Sequence, residues 1–140
     1  MSGKRILAVD DDPSIREMVR DYLVDNDFQV ETAASGAEMN QILETKGADL
    51  ILLDVKLPDM DGLDALPKCR ELAPETPIIV MTAHGTRQIA MEAITRGAYD
   101  FFTKPLKMAE FQVVVARALD RRRLQQQVKV LRAGQPMGFE

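Results

Sequence analysis

Leu50-Ile51-Leu52-Leu53-Asp54-Val55-Lys56-Leu57-Pro58-Asp59-Met60-Asp61-Gly62 is the stretch that decides the fold. Its first four residues are continuously apolar, as a strand buried on both faces should be. An acid follows directly, and Pro58 to Gly62 supply a turn. Two other runs share this character, Ile6–Val9 and Ile78–Met81. Two differ. Phe28-Gln29-Val30-Glu31-Thr32 alternates apolar and polar, and Tyr99–Phe102 contains Asp100, so both suit the edges of a sheet.

Helix-period segments separate these runs. Ile15, Met18, Val19, Tyr22 and Leu23 recur at i, i+3, i+4, i+7 and i+8, one face of a first helix. Met39, Ile42 and Leu43 mark a shorter second helix. Leu66, Cys69, Leu72 and Ala73 mark a third, stopped by Pro74. Ile89, Ala90, Ala93 and Ile94 mark a fourth, ending near Gly97, and Phe111, Val114, Val115 and Ala118 a fifth. Strand and helix alternating five times predict a doubly wound (βα)5 α/β unit, a parallel sheet with helices on both faces. With the second and fifth strands at the edges, the order is the flavodoxin-like 2-1-3-4-5. The domain is expected over residues 1–120. Residues 121–140 are expected to extend the fifth helix as a linker and to fray over Gly134–Glu140.

A length of 140 residues fits one domain with a short extension, and no internal repeat or low-complexity segment is present. Cys69 is the one cysteine, so an internal disulfide is impossible, which suits a reducing compartment. The apolar stretch before Asp10 is too short for a signal peptide, and no run is long enough to cross a membrane. A cytoplasmic protein is expected. The net charge of −4 hides an asymmetry. Residues 1–116 hold 12 Lys and Arg against 20 Asp and Glu, a balance of −8. Arg117, Arg121, Arg122, Arg123, Lys129 and Arg132 then face Asp120 alone. The acidic body is a poor nucleic-acid surface and a reasonable home for a cation.

The polar residues follow the strands. Asp10, Asp11 and Asp12 follow the first, Asp54 the third, Thr82 the fourth and Lys104 the fifth. Ligands of open α/β sheets bind at the carboxyl ends of strands where the order reverses, here between the first and third strands. The acids of those two strands should converge there. Neighbouring carboxylates near a surface repel by roughly 4 kcal/mol per pair at about 4 Å, and a cation removes the problem. Hard oxygen donors without His or Cys point to Mg²⁺ or a similar ion rather than zinc. A lysine adds charge that holds an anion, and a threonine hydroxyl donates to a phosphoryl oxygen. Carboxylate, divalent metal, lysine and hydroxyl together are what phosphoryl transfer requires.

Over about residues 4–120 the sequence resembles a response-regulator receiver domain. The motifs that carry the resemblance are Val9-Asp10-Asp11-Asp12, Leu53-Asp54 through Asp61-Gly62, Val80-Met81-Thr82-Ala83 and Phe102-Thr103-Lys104-Pro105. Each alone is weak; all four in order at strand ends are specific. The strand order 2-1-3-4-5 is itself known from a chemotaxis member of this family. The resemblance implies that Asp54 is the phosphoacceptor and that Asp11, Asp54 and the backbone carbonyl of Lys56 ligate Mg²⁺, with Asp10 reaching it through water. Thr82 would bind a phosphoryl oxygen, Lys104 would pair with it, and Lys104–Pro105 would be cis. Phe101 stands at the aromatic switch position, where Phe lacks the hydroxyl of the more usual Tyr. Its inward rotation would reshape the face of the fourth helix, fifth strand and fifth helix. Lys56 and His84 would tune hydrolysis. The phosphodonor would be a histidine kinase, and catalysis would be limited to the domain's own phosphorylation and dephosphorylation.

Plainer roles stand beside these. Asp12 before Pro13 suits a helix cap, and Asp59, Met60 and Asp61 suit a simple turn that shapes the site. Thr82 could cap a helix, Lys104 could be a surface lysine, and His84 reads as a loop residue. Cys69 and most methionines read as core. In the tail, Leu124, Val128 and Leu131 have heptad-like spacing that fails upstream at Arg121 and Arg117, so a solvated end and a dimerising linker both fit. The tail and the Met81–Gly85 and Ala98–Phe102 stretches resemble NtrC-type enhancer-binding activators, whose AAA+ ATPase and DNA-binding domains would lie outside this sequence. A homodimer through the fourth helix–fifth strand–fifth helix face or the C-terminal helix is expected, and direct nucleic-acid binding is not. Three other functions compete. A phosphohydrolase would want an acid where Lys56 stands. A flavin carrier would want a phosphate loop where Asp10–Asp12 would repel one. A partner-binding domain that is never phosphorylated would not need the acids.

Overall fold

The computed structural model describes residues 3–133; beyond Arg121 the only side chain it describes is that of Leu124. The chain alternates β1 (Arg5–Val9), α1 (Pro13–Asp25), β2 (Gln29–Ala33), α2 (Gly36–Thr45), β3 (Leu50–Asp54), α3 (Gly62–Leu72), β4 (Ile78–Thr82), α4 (Arg87–Thr95), β5 (Asp100–Thr103) and α5 (Met108–Ala133). All strand pairs are parallel, in the order β2-β1-β3-β4-β5. This is the predicted flavodoxin-like order, and burial is what sets it. Every residue of β3 and β4 is buried, whereas β2 and β5 keep exposed or half-buried positions.

Alternation along the strands divides the core into two layers. Leu7, Val9, Ile51, Leu53, Ile78 and Val80 point to one face, where Met39 and Leu43 of α2, Leu66 and Cys69 of α3 and Ala93 of α4 cover them. Ile6, Ala8, Leu50, Leu52, Ile79 and Met81 point to the other, under Val19 and Leu23 of α1 and Phe111, Val115 and Ala118 of α5. Two residues expected on inner faces are exposed. Met18 is 43% exposed at the margin of the Val19–Leu23 stripe, and Ile94 is 48% exposed. α4 touches the sheet mainly through Ala93, and Ile94 stands about 100° further round the helix. Met91 is also exposed, so α4 presents an apolar outer side.

The helix starts are capped by side chains that satisfy otherwise orphaned N–H groups. Asp12 accepts from the Ser14 N–H and Pro13 occupies the first turn of α1. Ser35 accepts from the Glu38 N–H of α2, and Thr86, not Thr82, accepts from the Ile89 N–H of α4. α3 begins four residues before the first position the periodicity marks, because Asp61 caps it at Leu63; it carries Pro67 on its exposed side. α5 runs unbroken for 26 residues, about 39 Å at the usual rise. The expected tail helix is therefore continuous with α5 in its backbone. The side chains of Val128 and Leu131, and the whole of Gly134–Glu140, lie outside the described residues. No helix among the described residues is long and apolar enough to cross a membrane.

Candidate functional site

The site is assembled by register. Val9 pairs with Leu53, so the next residues, Asp10 and Asp54, leave the sheet side by side. Asp54 pairs with Met81 and Thr82 with Thr103, which makes Asp54 and Thr82 the last residues of β3 and β4 rather than the first loop residues. Asp10, Asp54 and Thr82 are polar residues buried to 5% exposure or less, all at one edge of the sheet. Local bonds fix each. The Asp10 N–H donates to Ala33 O, the Arg16 guanidinium of α1 donates to Asp10 O at 2.7 Å, and Asp10 Oδ1 accepts from the Asp12 N–H at 2.9 Å. Thr82 Oγ1 accepts from the His84 N–H, and Asp54 Oδ1 accepts a long bond, 3.3 Å, from the Lys56 N–H.

Lys104, just past the end of β5, reaches across β4. Its backbone N–H donates to Thr82 O, and its Nζ donates to Asp10 Oδ2 at 2.5 Å and Asp54 Oδ2 at 3.4 Å. It is no loose surface lysine: its side chain is 14% exposed. The Lys104–Pro105 bond is cis, as expected. One carboxylate oxygen from each of Asp10, Asp11 and Asp54 lies within 4.8 Å of the others, with Asp11 exposed at the mouth. One ammonium thus faces three acids. Burial pushes the Asp54 carboxyl up to about 6 and the charge of Asp10 adds to this, while Lys104 and the Lys56 N–H oppose it. Burial works against the Lys104 ammonium too, but its bond to Asp10 and the charges of both acids outweigh that and hold it above the usual lysine range. The cluster keeps more negative charge than its own cation offsets. Its donors are all oxygens and one side is open, so the residues fit a hard divalent cation such as Mg²⁺.

The loop after β3 closes tightly. The backbones of Lys56 and Asp61 meet in an isolated antiparallel β-bridge, and the Gly62 N–H donates to Val55 O at 2.5 Å. A Cβ on Gly62 would run into the backbone carbonyl oxygen of Asp54, so glycine is required beside the acceptor position. The Lys56 side chain is exposed. Phe101 is half-buried and packs on the α2–α3–α4 layer, its ring edge against Gly85. Cys69 is buried next to Met39, and burial pushes its thiol up to about 11, which makes it an inert core residue.

Asp59 and Asp61 do more than turn the chain. Asp61 caps α3, a role an acid before Gly62 could have signalled. Asp59 Oδ1 accepts from the Gly36 N–H and its Oδ2 from the Ala37 N–H, both at 2.9 Å. Those bonds hold the Asp59 carboxyl below the usual range. No local pattern could have revealed this contact, because its partners lie 22 and 23 residues away. The Arg16 bond is hidden for another reason, since its partner is the backbone carbonyl of Asp10, which no side-chain pattern records.

Residues 6–116 match the model of the response regulator receiver domain family. The regulatory protein LuxO of Vibrio cholerae is 38% identical over 79% of this chain and 24% of its own length. The DNA-binding transcriptional regulator NtrC of Escherichia coli K12 is 34% identical over 94% of this chain and 28% of its own. The chain thus spans about a quarter of the length of these curated relatives. Among solved structures, a CheY-like receiver domain protein from Methanospirillum hungatei superposes with a TM-score of 0.84 and 31% identity, over 89% of this chain and 99% of that one. A matched segment covering most of the chain, on the matching fold, makes this chain a member of the response regulator receiver domain family.

Proposed function

We propose that this domain is the phosphorylated switch of a two-component response regulator. Asp54 takes a phosphoryl group from the phosphohistidine of a cognate histidine kinase in an Mg²⁺-dependent reaction, in the cytoplasm. The observation that carries this is the meeting of Asp10, Asp11 and Asp54 with Lys104 at one strand edge, with Thr82 at the end of the strand between. Asp11, Asp54 and the Lys56 carbonyl would hold the Mg²⁺ directly, and Asp10 through water. The bound ion supplies positive charge against the phosphoryl oxygens. An Asp54 oxygen forms the bond to phosphorus as the phosphorus–nitrogen bond of the donor breaks, and the imidazole leaves with that electron pair. Lys104, held by Asp10, pairs with one phosphoryl oxygen, and the Thr82 hydroxyl donates to another. Catalysis is confined to the domain's own phosphorylation and dephosphorylation.

Movement of Thr82 toward the phosphoryl group frees space for Phe101 and reshapes the α4–β5–α5 face, a two-state change biased by local charge. That face then controls a homodimer or an effector. The relation to NtrC, a DNA-binding transcriptional regulator, supports an effector that acts on transcription, with residues 1–120 as the receiver and 121–140 as the linker toward AAA+ and DNA-binding domains.

Intact mass after incubation with Mg²⁺ and acetyl phosphate tests the acceptor. Wild type should gain one phosphoryl group only when Mg²⁺ is present, and Asp54→Ala should gain none. A folded wild type that gains nothing under a trapping quench overturns the proposal in favour of a phosphorylation-independent interaction domain.

A further inference from the structure

We propose that Asp59 is a positioning residue that clamps the β3–α3 loop onto the start of α2 and so holds the Lys56 backbone in place for the cation. This deepens the function proposed above and rests on it. A helix start leaves its first N–H groups without partners. In α2 Ser35 takes the Glu38 N–H, whereas the Gly36 and Ala37 N–H groups are taken by Asp59, one oxygen each. Two parallel bonds from one carboxylate fix orientation as well as distance. The neighbouring Met60 locks the same joint. Its thioether fills the volume a Cβ on Gly36 would need, and it packs on the core beneath.

The feet of this loop are secured within themselves, through the backbone β-bridge between Lys56 and Asp61, the Gly62–Val55 bond and the Asp61 cap. The tip, Pro58 and Asp59, is exposed, and the Asp59 fork ties it to another element. Lys56 lies two residues from Asp54 and three from Asp59, so the fork sets the path of the short stretch of chain that leaves the Lys56 carbonyl. Mg²⁺ demands near-ideal octahedral geometry and punishes small displacements of a donor. Partners that hold metal ligands in place are worth on the order of tenfold or more in affinity.

The test compares Mg²⁺ binding, by calorimetric or NMR titration of the 140-residue chain, with metal-free stability by urea unfolding. Four proteins are needed: wild type, Asp59→Ala, Asp59→Asn and Ser35→Ala. Ser35→Ala removes a cap from the same helix without touching the loop, so it reports what weakening α2 alone does. Asp59→Ala should weaken Mg²⁺ on the order of tenfold. Asp59→Asn, isosteric and keeping one acceptor oxygen, should fall between it and wild type. Ser35→Ala should lose stability while keeping its Mg²⁺ affinity within about twofold, well short of the tenfold loss. Wild-type affinity in both Asp59 variants, or an equal loss in Ser35→Ala, overturns the clamp and leaves the site's function standing. A wild type with no saturable Mg²⁺ binding overturns the metal site, and the clamp with it. The two failures therefore appear in different proteins.

Discussion

Asp54 sits at a position where its charge works against the fold. Its carboxyl titrates near 6 instead of 3.8, chiefly because it is buried, so the folded state binds its proton more tightly than the unfolded chain does. The sign follows by linkage: without metal, stability rises as pH falls through about 6 toward 4, and the charged form is unfavourable at pH 7. A shift of roughly two pKa units corresponds to about 3 kcal/mol. Asp54→Asn should therefore be more stable than wild type at pH 7 in Mg²⁺-free urea unfolding, by up to about 3 kcal/mol, with the gap closing by about pH 4. Added Mg²⁺ should stabilise wild type and not the variant. Equal stability at pH 7 would mean that Lys104 fully offsets the burial. The residues of this cluster were legible in the sequence because each stands at a strand end, and strand ends can be read from apolar runs. Asp59 and Arg16 were not, because each acts on backbone atoms of another element, which no side-chain pattern records.

Among the elements, the joint between the β3–α3 loop and its neighbours leaves least room. Gly62→Ala would drive a methyl group into the Asp54 carbonyl, so the loop or the end of β3 must shift. Overpacking of this kind costs roughly 1–3 kcal/mol. The variant should unfold at lower urea and also lose Mg²⁺-dependent phosphorylation; full phosphorylation would mean that the loop moves without disturbing Asp54. The Asp59 contact has the opposite pH sign to Asp54. Its carboxyl is held low by the Gly36 and Ala37 N–H groups, so its contribution is present above the ordinary carboxylate pKa and lost as pH falls below it. The stability difference between wild type and Asp59→Ala should thus be present at pH 6 and shrink as pH falls below the ordinary carboxylate range. Helix existence was legible from periodicity, but helix ends and outward faces were less so. α3 starts where Asp61 caps it, four residues before Leu66, the first position its periodicity marks. Ile94 was assigned inward by spacing although α4 rests on the sheet through the small Ala93.

For the molecule as a whole, the strand order was legible because burial on two faces or one marks a strand as central or edge. What spacing could not give is the outward exposure of the apolar side chains Met91 and Ile94 on α4 and Val113 on α5. With beryllofluoride and Mg²⁺, gel filtration with light scattering should show a shift toward a dimer, and the pair Met91→Asp and Ile94→Asp should abolish it. A shift that survives both changes would assign the contact to the extension of α5 instead. The pairing of Lys104 with Asp10 spans 94 residues and that with Asp54 spans 50. A chain emerging from the ribosome exposes its N-terminal segments first. A nascent chain that has delivered β1 and β3 therefore carries the acids well before the lysine that partners them. Without a bound cation the repulsion in the pocket is relieved when β5 docks, so the last strand of this sheet to be synthesised is also the one that brings the partner of the acids.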